Sequence, residues 1–117
     1  MDEAQLETLV CAWPGVASDI KWHDDRVYSV AGKMFAVYCF QGSNAGQVSF
    51  KVGHERFLEL TDRHGIIPAP SMARAHWVSV LASCGMPRDE MVALLRVSYE
   101  LVKGKLTRKV QRGLEGD

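Results

Sequence analysis

Lysine follows glycine at Gly32-Lys33, and histidines stand at positions 23, 54, 64 and 76. Cysteines occupy positions 11, 39 and 84, and His23-Asp24-Asp25 sets an imidazole beside two carboxylates. A phosphate-cradling P-loop built on Gly32-Lys33 would need glycine at 27 and serine or threonine at 34. The chain has Val27 and Met34 there, so the nucleotide reading fails. No Gly-x-Gly-x-x-Gly run follows a strand-like segment, which removes a dinucleotide site as well. Nucleophilic catalysis needs an activated serine or thiolate with a positioned base. No serine lies in a Gly-x-Ser-x-Gly elbow, and each cysteine stands in an apolar segment. No catalytic residue is assigned, and the expectation is a protein that is not an enzyme. His23, Asp24 and Asp25 are adjacent, so their side chains diverge and suit a polar turn better than a metal site. Neither a metal nor a cofactor is expected.

The cationic residues carry more information. Fourteen basic and fourteen acidic side chains cancel, which argues against bulk polyanion binding. The balance is uneven along the chain: residues 1 to 60 hold five basic against eight acidic side chains, residues 61 to 117 nine against six. Lys103, Lys105, Arg108, Lys109 and Arg112 run with no acidic residue between them. Arg96 and Lys103 are nearly aligned on one helix face, Lys33 begins a strand, and Lys51 faces outward from another. These eight residues are the candidate phosphate contacts. Spacing leaves open whether they share one face or belong to an ordinary solvated surface.

The elements that must position them follow from periodicity. Leu6, Leu9, Val10 and Trp13 form the stripe of an amphipathic helix over residues 3 to 13, stopped by Pro14-Gly15. Ile20 and Trp22 alternate with Asp19 and Lys21 in a short strand, and His23 to Asp25 turn the chain. Val27 to Val30 and Met34 to Phe40 read as strands of a hairpin, with Gly32 supplying the positive φ of the turn. Beyond the polar QGSNAG stretch, Val48, Phe50 and Val52 should face the core, with Ser49 and Lys51 outward. A helix follows from His54 to His64 with Phe57, Leu58 and Thr61 on one face, capped at Gly65. The prolines of IIPAP keep residues 66 to 70 out of any central strand. Trp77 to Leu81 is the last strand. Pro87 then opens a helix in which Met91, Leu94, Leu95, Ser98, Leu101 and Val102 keep helical spacing. The basic tail from about 104 to 117 is either a further turn of helix or disordered.

The expected fold is α+β: residues 1 to 117 as one two-layer domain, an antiparallel sheet with helices packed on one face, in the order α-β-β-β-β-α-β-α. Most of the tryptophans and other aromatics must fill its core. Residues 34 to 40 are apolar on both faces, Met34, Ala36, Tyr38 and Phe40 against Phe35, Val37 and Cys39, so one face is a candidate partner site or dimer interface. Three cysteines without paired spacing indicate free thiols in a reducing cytoplasm. The acidic amino terminus argues against a secretory signal, and no apolar run is long enough to span a membrane.

Lys21-Trp22, Val27 to Val30, Gly32-Lys33-Met34-Phe35 and Val48-Ser49-Phe50-Lys51 stand in a fixed order. Gly65-Ile66-Ile67-Pro68-Ala69-Pro70, His76-Trp77-Val78 and Ser98-Tyr99-Glu100-Leu101-Val102 continue it. From about Pro14 to Leu106 this pattern resembles the MmcQ/YjbR family of small bacterial proteins. The chain departs from it at His64, where proline is frequent, at Ser71, where an aromatic is common, and at His23, where glycine is frequent. The resemblance implies a fold similar to bacterial frataxin-like and secretion-chaperone-like sandwiches. It also implies a double-wing DNA-binding domain in which hairpins act as wings. It supplies no catalytic residue. Asp2, Glu3 and Glu7 are too few to extend the fold analogy to iron binding. Two functions are therefore expected in competition. One is weak, salt-sensitive binding of double-stranded DNA through Lys33, Lys51, Arg96, Lys103, Lys105, Arg108, Lys109 and Arg112. The other is a module that captures a protein partner, or a second copy of itself, on an apolar sheet face or edge.

Overall fold

The structure is a computed structural model that describes residues 1–115. The chain enters its first helix, α1 (Glu3–Val10), through a capping box: the Asp2 carboxylate accepts from the Gln5 N–H at 2.8 Å, and the Gln5 side chain accepts from the Asp2 N–H at 3.0 Å. Leu6 and Val10 are the residues that α1 buries. Strands β1 (Val16–Lys21), β2 (Asp25–Val30), β3 (Lys33–Cys39) and β4 (Val48–Lys51) follow, then α2 (His54–Thr61), β5 (Ile66–Pro68) and β6 (Trp77–Val80). Helix α3 (Arg88–Lys103) and helix α4 (Arg108–Glu115) complete the described chain.

All six strands pair antiparallel in the order β1-β2-β3-β4-β6-β5. The α+β class and the antiparallel sheet are as expected, but the observed order adds two elements. Ile66–Pro68 forms an edge strand paired only with β6, and on its outer side there is no strand to which Pro68 would owe an N–H. Most of the basic tail is helical, and its last two residues lie outside the described ones. The β2–β3 turn places Ala31 at φ 48° and Gly32 at φ 82°, two consecutive left-handed residues as a tight hairpin requires. Among the described residues no helix is long and apolar enough to cross a membrane.

The two-faced apolar strand resolves through a bulge. Tyr28 pairs with Ala36 and Ser29 with Met34, so Phe35 is the extra residue on β3. Phe35 and Ala36 both join the core beneath the helices, while Val37 packs on the outer face with Val27, Ala69 and Trp77. Strict alternation had placed Phe35 and Ala36 on opposite faces. The outer face is not the exposed apolar surface expected: Val27, Val37 and Trp77 are buried, with Ala69 and Met72 from the β5–β6 connection packed against them. Ser49, expected in solvent, is buried there too, its hydroxyl 2.7 Å from that of Ser79.

Helix α3 lies against β3 and β4 and carries the residue that seals the bulge. Ser98, fully buried, donates its hydroxyl to the Phe35 carbonyl at 2.6 Å and accepts from the Lys51 N–H at 3.0 Å. It thereby closes the gap where β3 and β4 part. Tyr99, which the spacing argument did not single out, packs in the core tilted against Trp13 and edge-on to Phe35, with ring centroids 5.2 and 5.5 Å apart. Two expectations are corrected by burial. Helix α2 turns Leu60 inward and leaves Leu58 exposed, because Phe57 and Leu60, three apart, form its sheet-facing side. Trp22 belongs to the turn after β1 and is 60% exposed rather than in the core.

Arg63, just after α2, forks onto Glu90 near the start of α3 with bonds of 2.6 and 2.9 Å. The guanidinium holds the Glu90 carboxyl below its ordinary 4.5. A depressed carboxyl contributes stability that is complete above the unfolded value and disappears as pH falls through the folded one. Glu90→Gln should therefore flatten the loss of melting temperature below pH 4.5. For so exposed a pair the difference should be at most about 1 kcal/mol near neutrality. Parallel thermal melts across the acid range measure it.

A basic cleft as the candidate nucleic-acid interface

Strand pairing gathers the lysines at one end of the sheet. Lys33 opens β3 opposite Val30, and Lys51 closes β4 opposite Trp77 at the start of β6. Helix α3 ends above these three strand ends, and the chain leaves it through Lys105 and Leu106. The result is a cleft of about 300 Å³ lined by Lys33, Met34, Lys51, Trp77, Val102, Lys105 and Leu106. Three ammonium groups thus share an apolar floor, and among the described residues no carboxylate lines the cleft.

Lys51 is the most constrained of the three. Its ammonium donates to the Ala75 carbonyl at 2.6 Å, which aims it across the mouth of the β5–β6 connection. Burial and then the neighbouring Lys105 charge pull its pKa below the ordinary lysine value. A positive charge is held where loss of solvent and a like charge both disfavour it, and an anion in the cleft would offset that penalty.

Two connections flank the cleft at the same end of the sheet. One is the tight turn at Ala31-Gly32; the other is the excursion from Ala69 to His76, which carries exposed Arg74. Helix α4 begins beside the cleft and runs toward the first of them. Leu106 lines the cleft, while Leu114 packs on Gly15, whose carbonyl accepts the Ala31 N–H at 3.3 Å. Gly15 is left-handed, at φ 78°, and Leu114 occupies the space a Cβ would need. Arg108, Lys109 and Arg112 are exposed on α4, with no ion pair among the described residues.

Six of the eight candidates thus gather at this end: Lys33, Lys51 and Lys105 in the cleft, with Arg108, Lys109 and Arg112 on the adjoining helix. The other two lie against aromatic rings on α3, Arg96 at the surface and Lys103 buried. Arg96 lies 5.0 Å over the Trp13 ring and 4.8 Å over the Tyr99 ring, and pairs with Glu100 at 3.3 Å. Lys103 is buried, its ammonium 5.8 Å over Tyr99. Their alignment on α3 is real, but it sets both against aromatic rings rather than beside the cleft. Sequence reasoning missed Arg74 and the part played by Trp77 and the Ala75 carbonyl. His76-Trp77-Val78 was visible as a motif, but the use of Trp77 as a wall depends on its pairing with Lys51.

The other chemistry-bearing groups do not converge here. His54 Nδ1 and His76 Nε2 are 3.3 Å apart, and among the described residues no three histidine, cysteine, aspartate or glutamate side chains assemble as a metal site. Cys11, Cys39 and Cys84 are free thiols, and burial raises the pKa of both Cys11 and Cys39.

A family model described as YjbR matches residues 11–101. Protein DR2400 of Deinococcus radiodurans, a DUF419 domain known from its crystal structure, is 26% identical, with a TM-score of 0.87 over 97% of this chain and 88% of that one. A Pseudomonas syringae protein shares the fold at 23% identity in a crystal structure, with a TM-score of 0.69 over 87% of this chain and 99% of that one. A solution structure of a Pseudomonas syringae protein aligns at 22% identity and a TM-score of 0.65, covering 87% and 93%. No curated protein matches.

Proposed function

The chain belongs to the YjbR family, and from its basic cleft we propose that it is a non-enzymatic domain that binds double-stranded DNA by its phosphates. The observation that carries this reading is the meeting of Lys33, Lys51 and Lys105 in one cleft that no carboxylate of the described residues lines. In this reading the Ala31-Gly32 turn and the Ala69 to His76 excursion are the two wings, three strand spacings apart or roughly 14 Å. Arg108, Lys109 and Arg112 extend the contact along α4. Phosphate contacts of this kind fix position on a duplex without reading sequence. Binding is weak, because few phosphates are neutralised and the whole chain carries no net charge, and it falls with salt in proportion to the phosphates held. The protein works in a reducing cytoplasm, where its three free thiols persist.

Fluorescence anisotropy of a labelled duplex tests the reading. Binding is expected at about 50 mM salt and should weaken strongly by about 200 mM. The Arg108→Glu/Lys109→Glu/Arg112→Glu variant should bind roughly tenfold more weakly or worse at the lower salt. Absence of wild-type binding at low salt would remove the proposal; unchanged binding by the variant would remove α4 from it.

A second reading, capture of a protein partner or of another copy of the chain, has lost the open strand face that first suggested it. It keeps one observation in its favour: β1 is an edge strand, and Ile20 within it and Trp22 just after it are exposed. Light scattering over a concentration series would show self-association as a rising mass.

A further inference from the structure

The outer sheet face holds a second cavity, of about 160 Å³, toward the end opposite the lysines. Trp22, Asp25, Cys39, Ser49, Ser79 and Met72 are among its walls. Trp22 is the most unusual of them. It is 60% exposed, and both it and His23 are left-handed, at φ 54° and 69°, a conformation that bulky residues avoid. The turn is pinned in this state, because Gln41 Nε2 donates to the His23 carbonyl at 2.9 Å and the Phe40 N–H to the Asp24 carbonyl at 2.9 Å. Strain maintained by surrounding bonds at an exposed aromatic is a mark of use.

The polar groups in the cavity are under-used. The Cys39 thiol has a single proton to share between the Gln41 carbonyl, at 3.2 Å, and the Asp25 carboxyl, and no lysine or arginine lines the cavity. Burial and then the adjacent Asp24 raise the Asp25 pKa, and the Cys39 thiol offsets part of that rise. Ser49 and Ser79 bond to each other at 2.7 Å, which occupies one of their two hydroxyl protons. The second proton belongs to a buried pair whose residues both line the cavity. The site therefore presents a flat indole, an acceptor and a spare donor.

We propose that this cavity takes a planar heterocycle with an amino donor beside a ring acceptor, the pattern of adenine and cytosine, stacked on Trp22 with its amino group on Asp25. An alkylammonium would satisfy Asp25 but offers no acceptor for the serine proton and no flat face for the indole. Stacking of this kind tolerates different bases, and the carboxylate supplies the preference for an amino group. The site is independent of the lysine cleft, since it recognises a base and not a phosphate.

Amide NMR titration of the full chain with deoxyadenosine, deoxycytidine and thymidine tests the proposal, because none of the three carries a phosphate. Shifts are expected at Trp22, Asp25, Ser49 and Ser79 with the first two, and roughly tenfold weaker binding of thymidine. Asp25→Asn should abolish the preference, Trp22→Ala should remove binding, and Trp22→Phe should keep most of it. Trp22 is exposed, so its two variants leave the core intact, and Asp25→Asn is nearly isosteric. No shifts up to millimolar nucleoside, equal binding of all three, or shifts confined to the lysine cleft would overturn the site. A single-stranded oligodeoxyadenylate is the second arm. Tighter binding than the nucleoside at the same residues assigns the base to a strand, and equal affinity per base assigns it to free nucleosides. Duplex binding without nucleoside binding would sink this site alone, and the converse would sink the DNA reading alone.

Discussion

Replacing Ser98 by alanine is expected to lower the stability of the domain by about 2–4 kcal/mol, because two backbone groups lose their partner at once. The Phe35 carbonyl, orphaned by the bulge, would lose a 2.6 Å bond, and the Lys51 N–H would lose a 3.0 Å bond. Water cannot easily replace a hydroxyl in a position with no exposure. The corresponding fall in melting temperature is roughly 8–15 °C for a domain of this size. Val97→Ala, at the half-exposed neighbouring position, serves as the control and should change stability by less than about 0.5 kcal/mol. Equal melting temperatures for the two variants would mean that Ser98 does not hold β3 and β4 together. The same residue connects fold to site, since β3 and β4 carry Lys33 and Lys51 into the cleft.

The largest functional effect is expected from Lys33→Gln/Lys51→Gln/Lys105→Gln, which should weaken duplex binding on the order of a hundredfold at about 50 mM salt. Lys21→Gln, at the far end of β1, should leave it nearly unchanged. Lys51 also allows the site to be separated from the scaffold. Its folded pKa lies below the ordinary 10.5, so the unfolded chain binds the proton more tightly. The charge therefore costs stability at neutral pH, and that cost is relieved as pH rises from the folded value toward 10.5. Lys51→Met should melt at a higher temperature than the wild type near neutrality while binding duplex more weakly. A lysine retained for structure would show the reverse in the melt.

Local chemistry made much of the fold legible. Gly32 could be placed in a tight turn from its neighbours, the spacing from Met91 to Val102 defined α3, and Pro68 pointed to the edge of the sheet. What escaped depended on contacts between distant residues. One extra residue at Phe35 shifts its face, and nothing in the run from Met34 to Phe40 marks that position, since every candidate is apolar. The outer face is closed by the Ala69 to His76 excursion, whose path over Val37 and Trp77 is set by tertiary packing. The site shows the same division. Charge counts found the basic carboxy-terminal segment, but they treat all cations alike, and so they could not separate Lys105, in the cleft, from Lys103, two residues earlier and buried on Tyr99. Helical geometry supplies that distinction, because residues two apart on or just after a helix point to different sides. Trp22 was visible as an aromatic after a short strand, but its exposure arises from the left-handed turn.

The salt dependence of duplex affinity bears most directly on the cleft. Log affinity plotted against log salt falls by about 0.9 for each phosphate neutralised. If Lys33, Lys51 and Lys105 each hold a phosphate, the wild-type slope should exceed that of their triple glutamine variant by roughly 2.7. Parallel lines for the two proteins would contradict the assignment of the cleft as the phosphate-binding site.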